Sequence, residues 1–526
     1  MIADNKEMES SGPGSSRAPA GFFLLIALLA LCAAGKAILY DTLDPDCFWH
    51  LRVAEQLHRD GIGPIVDDIS FASSRHAWTP YSWLAELGMK AIWDTGGYRA
   101  AVATQAVMQG AIIIFLAMSC IEMQRQARAG GKPRYLAAAV TTAAGAFLML
   151  PYLSFRPVTA AFVLLAICAW LILRDRRMNE QSRAVWIIIP LTLVLTNIHL
   201  FAFFVPAVVL GMLIGAALEG SWGLANRDKP ACVHAGLNGR MGSSTRYGVM
   251  LVGVTLAYLG TPMLPGLLRT VFFYGSKDQM VKGPVIAEMQ SFAGGQMGFV
   301  ALITVGGAFI CMISHWRRLR IAEVLCFGAG SLLLFKLGRF APVFALAMCP
   351  VLAATWPAMK DRMLSRPAIC AVLGVILAIG CARLAGAFPA RDRTLSSWLN
   401  RHGPDTPGYP CEAADFVKVR IVPSTHRLIN EFSWGGYLGY ELGNKYKILL
   451  DGRTQVYPAH LWEATYLSDE SKQMEFFSGI TADAAILPAG KSRFRDVLTK
   501  LGWTRGYRDD RAEVMLPPGS MARLEP

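Results

Sequence analysis

Stretches of apolar residues long enough to cross a lipid bilayer recur along most of this 526-residue chain. A transmembrane helix needs about 20 predominantly apolar residues, and eleven segments have or approach that length. We predict spans at 21–40, 99–121, 135–150, 157–173, 184–197, 199–218, 247–260, 297–314, 321–337, 340–356 and 367–386. Hydrophobic residues make up 53% of the chain and charged residues 17%, which is too apolar for a soluble protein of this length. The sequence therefore predicts a polytopic α-helical membrane protein.

The distribution of Lys and Arg predicts how the spans are oriented. With the N-terminus in the cytoplasm, the inner loops carry 18 Lys and Arg residues, whereas the outer loops after the first one carry five. Loops rich in positive charge stay in the cytoplasm. This asymmetry favours two passes through 184–218, a run interrupted only by Asn197 and His199, over one tilted helix. The net charge of +13 has the same origin and does not indicate nucleic-acid binding.

Three regions follow from this topology. Residues 1–20 are expected to form a disordered cytoplasmic tail, 21–386 a membrane domain with a first outer loop at 41–98, and 387–526 an extracytoplasmic domain. Helical spacing in the outer loop predicts one helix at 47–59 and an interfacial helix at 81–92. Strand-like and helix-like pieces alternate after residue 387, which is typical of a small α/β domain. We predict strands at 427–432, 446–450 and 484–487, and a hairpin near 503–516.

The strongest group of polar residues lies just outside the first span, in the run from Asp44 to Arg52. The carboxylates of Asp44 and Asp46 can hold a divalent cation, or one of them can act as a general base. The alternative is structural, because an Asp followed by Pro45 is a good helix start. For Asp67-Asp68 in the same loop, a solvated turn is the favoured interpretation.

Isolated polar groups at membrane depth map mostly to the same outer side. Ionisable residues inside membranes are usually functional, so we expect a shared cavity near the outer leaflet rather than scattered anchors. Its cations suit a phosphate or pyrophosphate, and its carboxylates suit a metal or a hydroxyl group to be deprotonated. These groups are Arg156, Asn197, His199, Glu288, Lys336 and Arg339.

The C-terminal region adds two short motifs, Ser433-Trp434-Gly435-Gly436-Tyr437 and Asp451-Gly452-Arg453. The second follows a buried strand, and sites in α/β sheets form where strands end. Nucleotide-binding, hydrolase and zinc signatures do not occur in the sequence. Of eleven cysteines, only Cys47 and Cys411 are expected on the oxidising side, and whether they pair stays open.

Several segments resemble the GT-C superfamily, and more narrowly a broad bacterial group of membrane glycosyltransferases. The superfamily combines an Asp-rich first outer loop, many helices and an outer C-terminal domain. The resemblance covers most of the chain. Its segments are Asp46 to Arg52, Trp83-Leu84-Ala85-Glu86, Arg156-Pro157, Asn197-Ile198-His199, Ile286 to Ser291, Arg339-Phe340-Ala341-Pro342 and Asn430 to Arg453.

The resemblance to the oligosaccharyltransferase catalytic subunit implies roles for individual residues. Asp46 stands four residues before His50 and six before Arg52, as the first-loop aspartate of that enzyme stands before a polar residue and an arginine. Asp46, with Asp44 and His50, is thus the expected catalytic group, and Arg339, Arg156 and His199 are expected to bind the donor phosphate. Groups for the acceptor, or supporting it, are expected at Glu288, Trp434, Tyr437, Asp451 and Arg453.

The sequence also departs from that family. Gly435 and Gly436 replace the acid of the peptide-binding Trp-Trp-Asp-Tyr-Gly signature, and the next outer loop, 151–156, lacks the second acidic motif. Dependence on Mg²⁺ or Mn²⁺ at Asp46 therefore stays open, and no cofactor is certain.

The resemblance implies an inverting glycosyltransferase of the bacterial cytoplasmic membrane. It would move a sugar from a polyprenyl-phosphate carrier in the lipid bilayer to an outer glycan, lipid or protein acceptor. The C-terminal domain would be periplasmic. The alternatives are a non-catalytic membrane protein of the same fold, serving lipid-linked glycan transport or assembly, and a ligase that differs only in its acceptor.

Overall fold

The computed structural model describes residues 18–39, 43–73, 77–127, 133–221, 242–276, 295–356, 361–388, 394–402, 408–443 and 445–519. Thirteen helices are described before residue 390. They are α1 Ala20–Leu39, α2 Pro45–Asp60, α3 Trp83–Ala127, α4 Tyr135–Met149, α5 Pro157–Arg177, α6 Ile188–Ile198, α7 Phe204–Ser221, α8 Ser243–Leu259, α9 Leu264–Ser276, α10 Gly295–Ser314, α11 Ile321–Lys336, α12 Ala341–Thr355 and α13 Pro367–Ala387.

Seven of the described helices are long and apolar enough to cross a membrane by length and composition, namely α1, α3, α4, α5, α7, α12 and α13. The pair α8 and α9, bent by 103°, would make an eighth span. These helices confirm a multi-pass helical architecture, while the count of eleven spans stays a prediction. The tail predicted at 1–20 lies outside the described residues except for 18–20.

The predicted run 184–218 is divided at His199, and whether it makes two passes stays a prediction. His199 separates α6 from α7 in an extended conformation, with φ −160° and ψ 148°. At the far end of α7, the carboxylate of Glu219 accepts a hydrogen bond of 2.9 Å from the backbone N–H of Ile321. Arg176, in the last turn of α5, forms an ion pair of 2.8 Å with Glu323 close by. The bundle end around Glu219 is therefore opposite to the one that holds His199.

Ion pairs tie together the helix ends that the charge rule places in the cytoplasm. Arg246 pairs with Asp175 at 3.0 Å, and Arg320 pairs with Glu180 at 3.0 Å. The 21 residues of α5 rise about 31 Å, which separates this end of the bundle from Arg156 just before α5. Predicted inner and outer polar groups thus lie at opposite ends of the described bundle.

Two helices build the first outer loop. Helix α2 covers the predicted helix at 47–59. Helix α3 has 45 residues, and Gly97, with φ 56° and ψ −143°, kinks it. A residue with φ near +60° breaks regular helix geometry and favours glycine. The kink divides α3 into an outer segment, which contains most of the predicted interfacial helix, and the predicted span at 99–121.

The C-terminal region folds around a five-stranded sheet in the order β2-β1-β3-β5-β4. Strands β2, β1 and β3 are parallel, whereas β5 runs antiparallel to both β3 and β4. The predicted strands and closing hairpin are confirmed. The elements are α14 Leu395–Arg401, α15 Cys411–Arg420, β1 Arg427–Asn430, α16 Gly435–Glu441, β2 Lys447–Ile448, α17 Ala459–Trp462, α18 Glu470–Ser478, β3 Ala484–Pro488, α19 Arg493–Lys500, β4 Thr504–Arg508 and β5 Ala512–Leu516.

The first outer loop and the C-terminal sheet share one hydrophobic core. Backbone hydrogen bonds join them at Ile448, whose N–H donates to Ile69 at 3.0 Å and whose carbonyl accepts from Phe71 at 3.1 Å. Helix α16 packs on α2 through Gly436, where an added β-carbon would lie 2.5 Å from the carbonyl oxygen of Pro45. The C-terminal region is therefore seated directly on the loop that carries Asp44 and Asp46.

Candidate active site

Asp44 and Asp46 take different positions at the start of α2. The carboxylate of Asp44 caps the helix by accepting a hydrogen bond of 3.0 Å from the backbone N–H of Asp46, and Pro45 occupies the first turn. This is the structural role considered for Asp44, because an N-cap residue satisfies a backbone donor of the first turn. Asp46 lies within the first turn itself and its side chain is 29% exposed.

Arg156 joins both carboxylates to the second outer loop. One guanidinium nitrogen, Nη1, lies 3.2 Å from Asp46 Oδ2 and 3.4 Å from the Asp44 carboxylate. Ser154 Oγ approaches Asp44 at 3.4 Å. Arg156 precedes Pro157, which begins α5, so the helix start fixes the cation beside the carboxylates. The predicted base and one predicted phosphate ligand therefore meet in the structure.

Sequence analysis did not identify Glu86 as a site residue. His50 lies one helical turn after Asp46, and its Nδ1 is 3.0 Å from Glu86 Oε1 on α3, with both side chains buried. The expected place of His50 in the catalytic group with Asp46 stays a prediction, and the contact that its Nδ1 makes is with Glu86. Burial, followed by the positive charges of Arg156, His199 and Arg453, holds the pKa of His50 well below its usual value, so the imidazole is neutral at pH 7.

His199 and Arg339 approach the same end of the bundle. His199 Nδ1 accepts a hydrogen bond of 3.2 Å from the backbone N–H of Phe201, so a neutral ring carries its proton on Nε2. Both Arg339 and Arg156 are within electrostatic reach of His199. The ring of Phe340, next to Arg339, packs 5.7 Å from that of Phe201. The three predicted phosphate ligands, Arg156, His199 and Arg339, thus lie near one another. The Nε2–H group of His199 can donate a hydrogen bond.

The turn Asp451-Gly452-Arg453 reaches α2 from the C-terminal region. A β-carbon added at Gly452 would lie 2.1 Å from Asp46 Oδ1, so the turn is in direct contact with that carboxylate. Arg453 is fully buried, with Nη1 2.5 Å from Asp67 and Nε 3.0 Å from Asp451. Burial alone would lower the pKa of this guanidinium, but Asp451 and Asp67 outweigh it and raise the pKa.

These contacts correct the interpretation of Asp67 as part of a solvated turn. Its side chain is 1% exposed and binds Arg453, whereas Asp68 follows expectation and pairs with the exposed Arg59 at 2.6 Å. Arg453 pairs with both Asp451 and Asp67, and Gly452 of the same turn contacts Asp46. The side chains of Asp451 and Arg453 are therefore interior, and Gly452 beside Asp46 is only partly buried.

Trp434 and Tyr437 are also interior. Trp434 is fully buried, and the ring of Tyr437 packs edge-on against Phe48 of α2, with 5.5 Å between ring centroids. Their place in the shared core shows how the glycine-rich motif docks on α2, while a role in acceptor binding stays a prediction. Cys47 and Cys411 are both unpaired.

Glu288 lies outside the described residues, within 277–294. Its predicted role near the acceptor therefore stays a prediction.

The predicted Mg²⁺ or Mn²⁺ at Asp46 would need further ligands among the side chains around that carboxylate. Arg156 already compensates the charges of Asp44 and Asp46. Among the described residues, no three His, Cys, Asp or Glu side chains come together as a metal site would require. The described side chains alone do not complete a metal site, so dependence on a metal stays open, and the mechanism below uses none.

An apolar cavity of about 490 Å³ lies between α5, α7, α11 and α12. Leu165, Val208, Leu333 and Val343 are among its lining residues. Its lining also includes Phe204, whose ring is 5.9 Å from that of Phe340 beside Arg339. The cavity therefore extends from the end of the bundle where the cations converge to Glu323 near the opposite end.

Comparison with known proteins gave matches among solved structures only, since no family model and no curated protein matches the chain. Three crystal structures of the oligosaccharyltransferase of Archaeoglobus fulgidus are similar. The form tethered to an acceptor peptide with an NVT sequon is 13% identical, with 89% of this chain and 69% of that chain covered and a TM-score of 0.49. The apo form is 12% identical over 88% and 69%, with a TM-score of 0.48.

The third structure, a complex with Zn and sulfate, is 12% identical over 88% of this chain and 68% of that chain, with a TM-score of 0.45. These matches extend over nearly the whole chain.

Proposed function

We propose that this protein is an inverting glycosyltransferase of GT-C type in a bacterial cytoplasmic membrane. It moves a sugar from a polyprenyl-phosphate carrier to an acceptor outside that membrane. The observation that carries the proposal is the meeting of Asp46, Arg156, His199 and Arg339 at one end of the bundle, beside an apolar cavity. The cations would bind the carrier phosphate, and the apolar cavity would hold its isoprenoid chain. The carboxylate would deprotonate the acceptor.

The charge and shape of the site support binding of the donor at this end of the bundle. Arg156 and Arg339 present planar guanidinium groups, which bind phosphate oxygens in pairs, and His199 Nε2–H adds a neutral donor. Burying an isoprenoid chain in the apolar cavity is favourable at roughly 25 cal/mol per Å² of apolar surface. The carrier phosphate would then lie beside Asp46, because Arg156 contacts that carboxylate at 3.2 Å.

The acceptor end follows from the position of Asp46. Inversion requires attack on the sugar from the face opposite to the departing phosphate, with a base on the acceptor side. The acceptor group loses its proton to Asp46 as its nucleophilic atom bonds to the anomeric carbon. The bond from that carbon to the carrier phosphate breaks, and the phosphate leaves with the electron pair. Cations that bind the phosphate stabilise the charge that it gains.

Replacement of Asp46 by Asn tests this proposal. Asp44, and not Asp46, caps α2, so Asp46→Asn should fold and bind undecaprenyl phosphate normally. Turnover of an undecaprenyl-phosphate-linked hexose should fall by roughly a hundredfold or more, because the base is lost. Asp44→Asn is the matched control two residues away. If both variants transfer sugar at the wild-type rate, the base assignment fails. Carrier binding by the wild-type protein without any turnover would favour a non-catalytic transport or assembly protein.

A further inference from the structure

Gly452 lies where the C-terminal region meets the proposed base. A β-carbon added there would lie 2.1 Å from Asp46 Oδ1 and 2.9 Å from Trp49 Nε1. Approaches under 3.0 Å are essentially never seen for real β-carbons. Both atoms belong to the ends of side chains on α2, so a larger residue would push against the site and not against backbone.

The turn that carries Gly452 is held too firmly to retreat. The backbone N–H of Asp451 donates to the hydroxyl of Tyr457 at 2.9 Å, and the N–H of Arg453 donates to Asp451 Oδ1 at 3.0 Å. Arg453 then anchors the turn to Asp67 of the outer loop. Since these charged side chains are buried and ion-paired, we expect any collision at Gly452 to be relieved by movement of Asp46.

The same contact leaves a hydrogen-bond donor in place. Trp49 is 8% exposed, and within the described part of the chain its Nε1–H has no hydrogen-bond partner. Because Asp46 Oδ1 and Trp49 Nε1 flank one point at 2.1 and 2.9 Å, they lie no more than about 5.0 Å apart. A buried unpaired donor costs about 1–3 kcal/mol, which a bound ligand atom would recover.

We propose that the Asp451-Gly452-Arg453 turn is the wall of the acceptor subsite, that Gly452 positions Asp46, and that the acceptor group is a hydroxyl. This inference rests on the proposed function. A hydroxyl oxygen accepts from the Trp49 N–H while its hydrogen points to Asp46. A carboxamide would have to accept from Trp49 with its oxygen and donate to Asp46 with its nitrogen, so its reacting atom would contact only one of the two groups. The class of acceptor is therefore an alcohol, as on a glycan or a hydroxylated lipid.

A glycine-to-alanine series tests the positioning role. In the purified full-length protein, Gly452→Ala should keep the wild-type melting temperature and affinity for undecaprenyl phosphate. Its kcat for an undecaprenyl-phosphate-linked hexose should fall at least tenfold with the donor KM unchanged. Gly490→Ala is the matched control, because nothing lies within 4 Å of an added β-carbon there. Gly435→Ala is the control for a loss of stability, since its β-carbon would lie 2.0 Å from the backbone oxygen of Leu450.

The results of these experiments distinguish failure of the positioning role from failure of the proposed function. Full activity in Gly452→Ala, or a fall in activity matched by losses of stability and carrier binding as in Gly435→Ala, overturns the positioning role. The acceptor class is tested by offering the wild-type protein a hexose oligosaccharide and an Asn-Ala-Thr peptide. Transfer to the oligosaccharide alone is expected, and transfer to the asparagine overturns the hydroxyl assignment. A wild-type protein that neither binds the carrier nor cleaves the donor instead contradicts the proposed function.

Discussion

The ion pair between Asp67 and Arg453 should hold the C-terminal region on the first outer loop. The two side chains are 1% and 0% exposed, their closest nitrogen–oxygen distance is 2.5 Å, and 386 residues separate them in the chain. Removing one partner of a buried ion pair costs about 3–5 kcal/mol. Because Arg453 keeps Asp451 as a partner, we expect Asp67→Asn to cost about 3 kcal/mol, the lower end of that range.

Asp68→Asn is the control for this prediction. It makes the same chemical change at the next residue, where the partner Arg59 has a side chain that is 55% exposed. Exposed pairs contribute about 0–1 kcal/mol. Hydrogen exchange of the intact protein in lipid nanodiscs, read by mass spectrometry over residues 445–457, measures local opening. An energy of 3 kcal/mol corresponds to roughly a hundredfold faster exchange in Asp67→Asn.

One result of comparing these two variants would contradict the prediction. If Asp67→Asn and Asp68→Asn exchange at the same rate over residues 445–457, burial of the Asp67–Arg453 pair does not stabilise this interface. A larger residue at position 452 could then be accommodated by movement of the turn, and Asp46 would not need to move.

Three further predictions concern the donor cations, pH and topology. Arg339→Lys should weaken binding of undecaprenyl phosphate although charge is kept, and unchanged affinity in Arg339→Ala would remove it from the phosphate site. Burial raises the pKa of Glu86 to about 8 and depresses the pKa of its partner His50. Between pH 6.5 and 8 the folded pair therefore holds a proton that the unfolded pair has released. Stability should fall as the pH rises from 6.5 to 8, by up to about 1.4 kcal/mol per unit, and this slope should vanish in Glu86→Gln. A cysteine at Gly490 should react with an impermeant label in intact cells, and protection until lysis would contradict the outer placement.

Local patterns in the sequence predicted most of the secondary structure. The alternation of strand-like and helix-like pieces gave the sheet and its hairpin, and Asp44 with Pro45 gave the start of α2. These features depend on residues close together in the chain. The number of spans is harder, because segments such as α6 and α11 are shorter than a bilayer requires when taken alone.

The partners within the site could not be predicted in the same way. Nothing near Asp67 indicates that it binds a residue 386 positions away, and a pair of acids in a loop is usually solvated. Glu86 did carry a signal, since it is a single acid in the apolar segment Trp83-Leu84-Ala85-Glu86. Its partner His50 lies on another helix, so only the packing of α2 against α3 brings the two together.

The central claim is that the outer end of the bundle binds the phosphate of a lipid carrier next to Asp46. Electron cryo-microscopy of the full-length protein in nanodiscs with undecaprenyl phosphate tests it most directly. We predict phosphate density within hydrogen-bond distance of Arg156, His199 and Arg339, with the isoprenoid chain entering the apolar cavity. Density for the phosphate at the opposite end, near Arg176 and Glu323, would contradict the account.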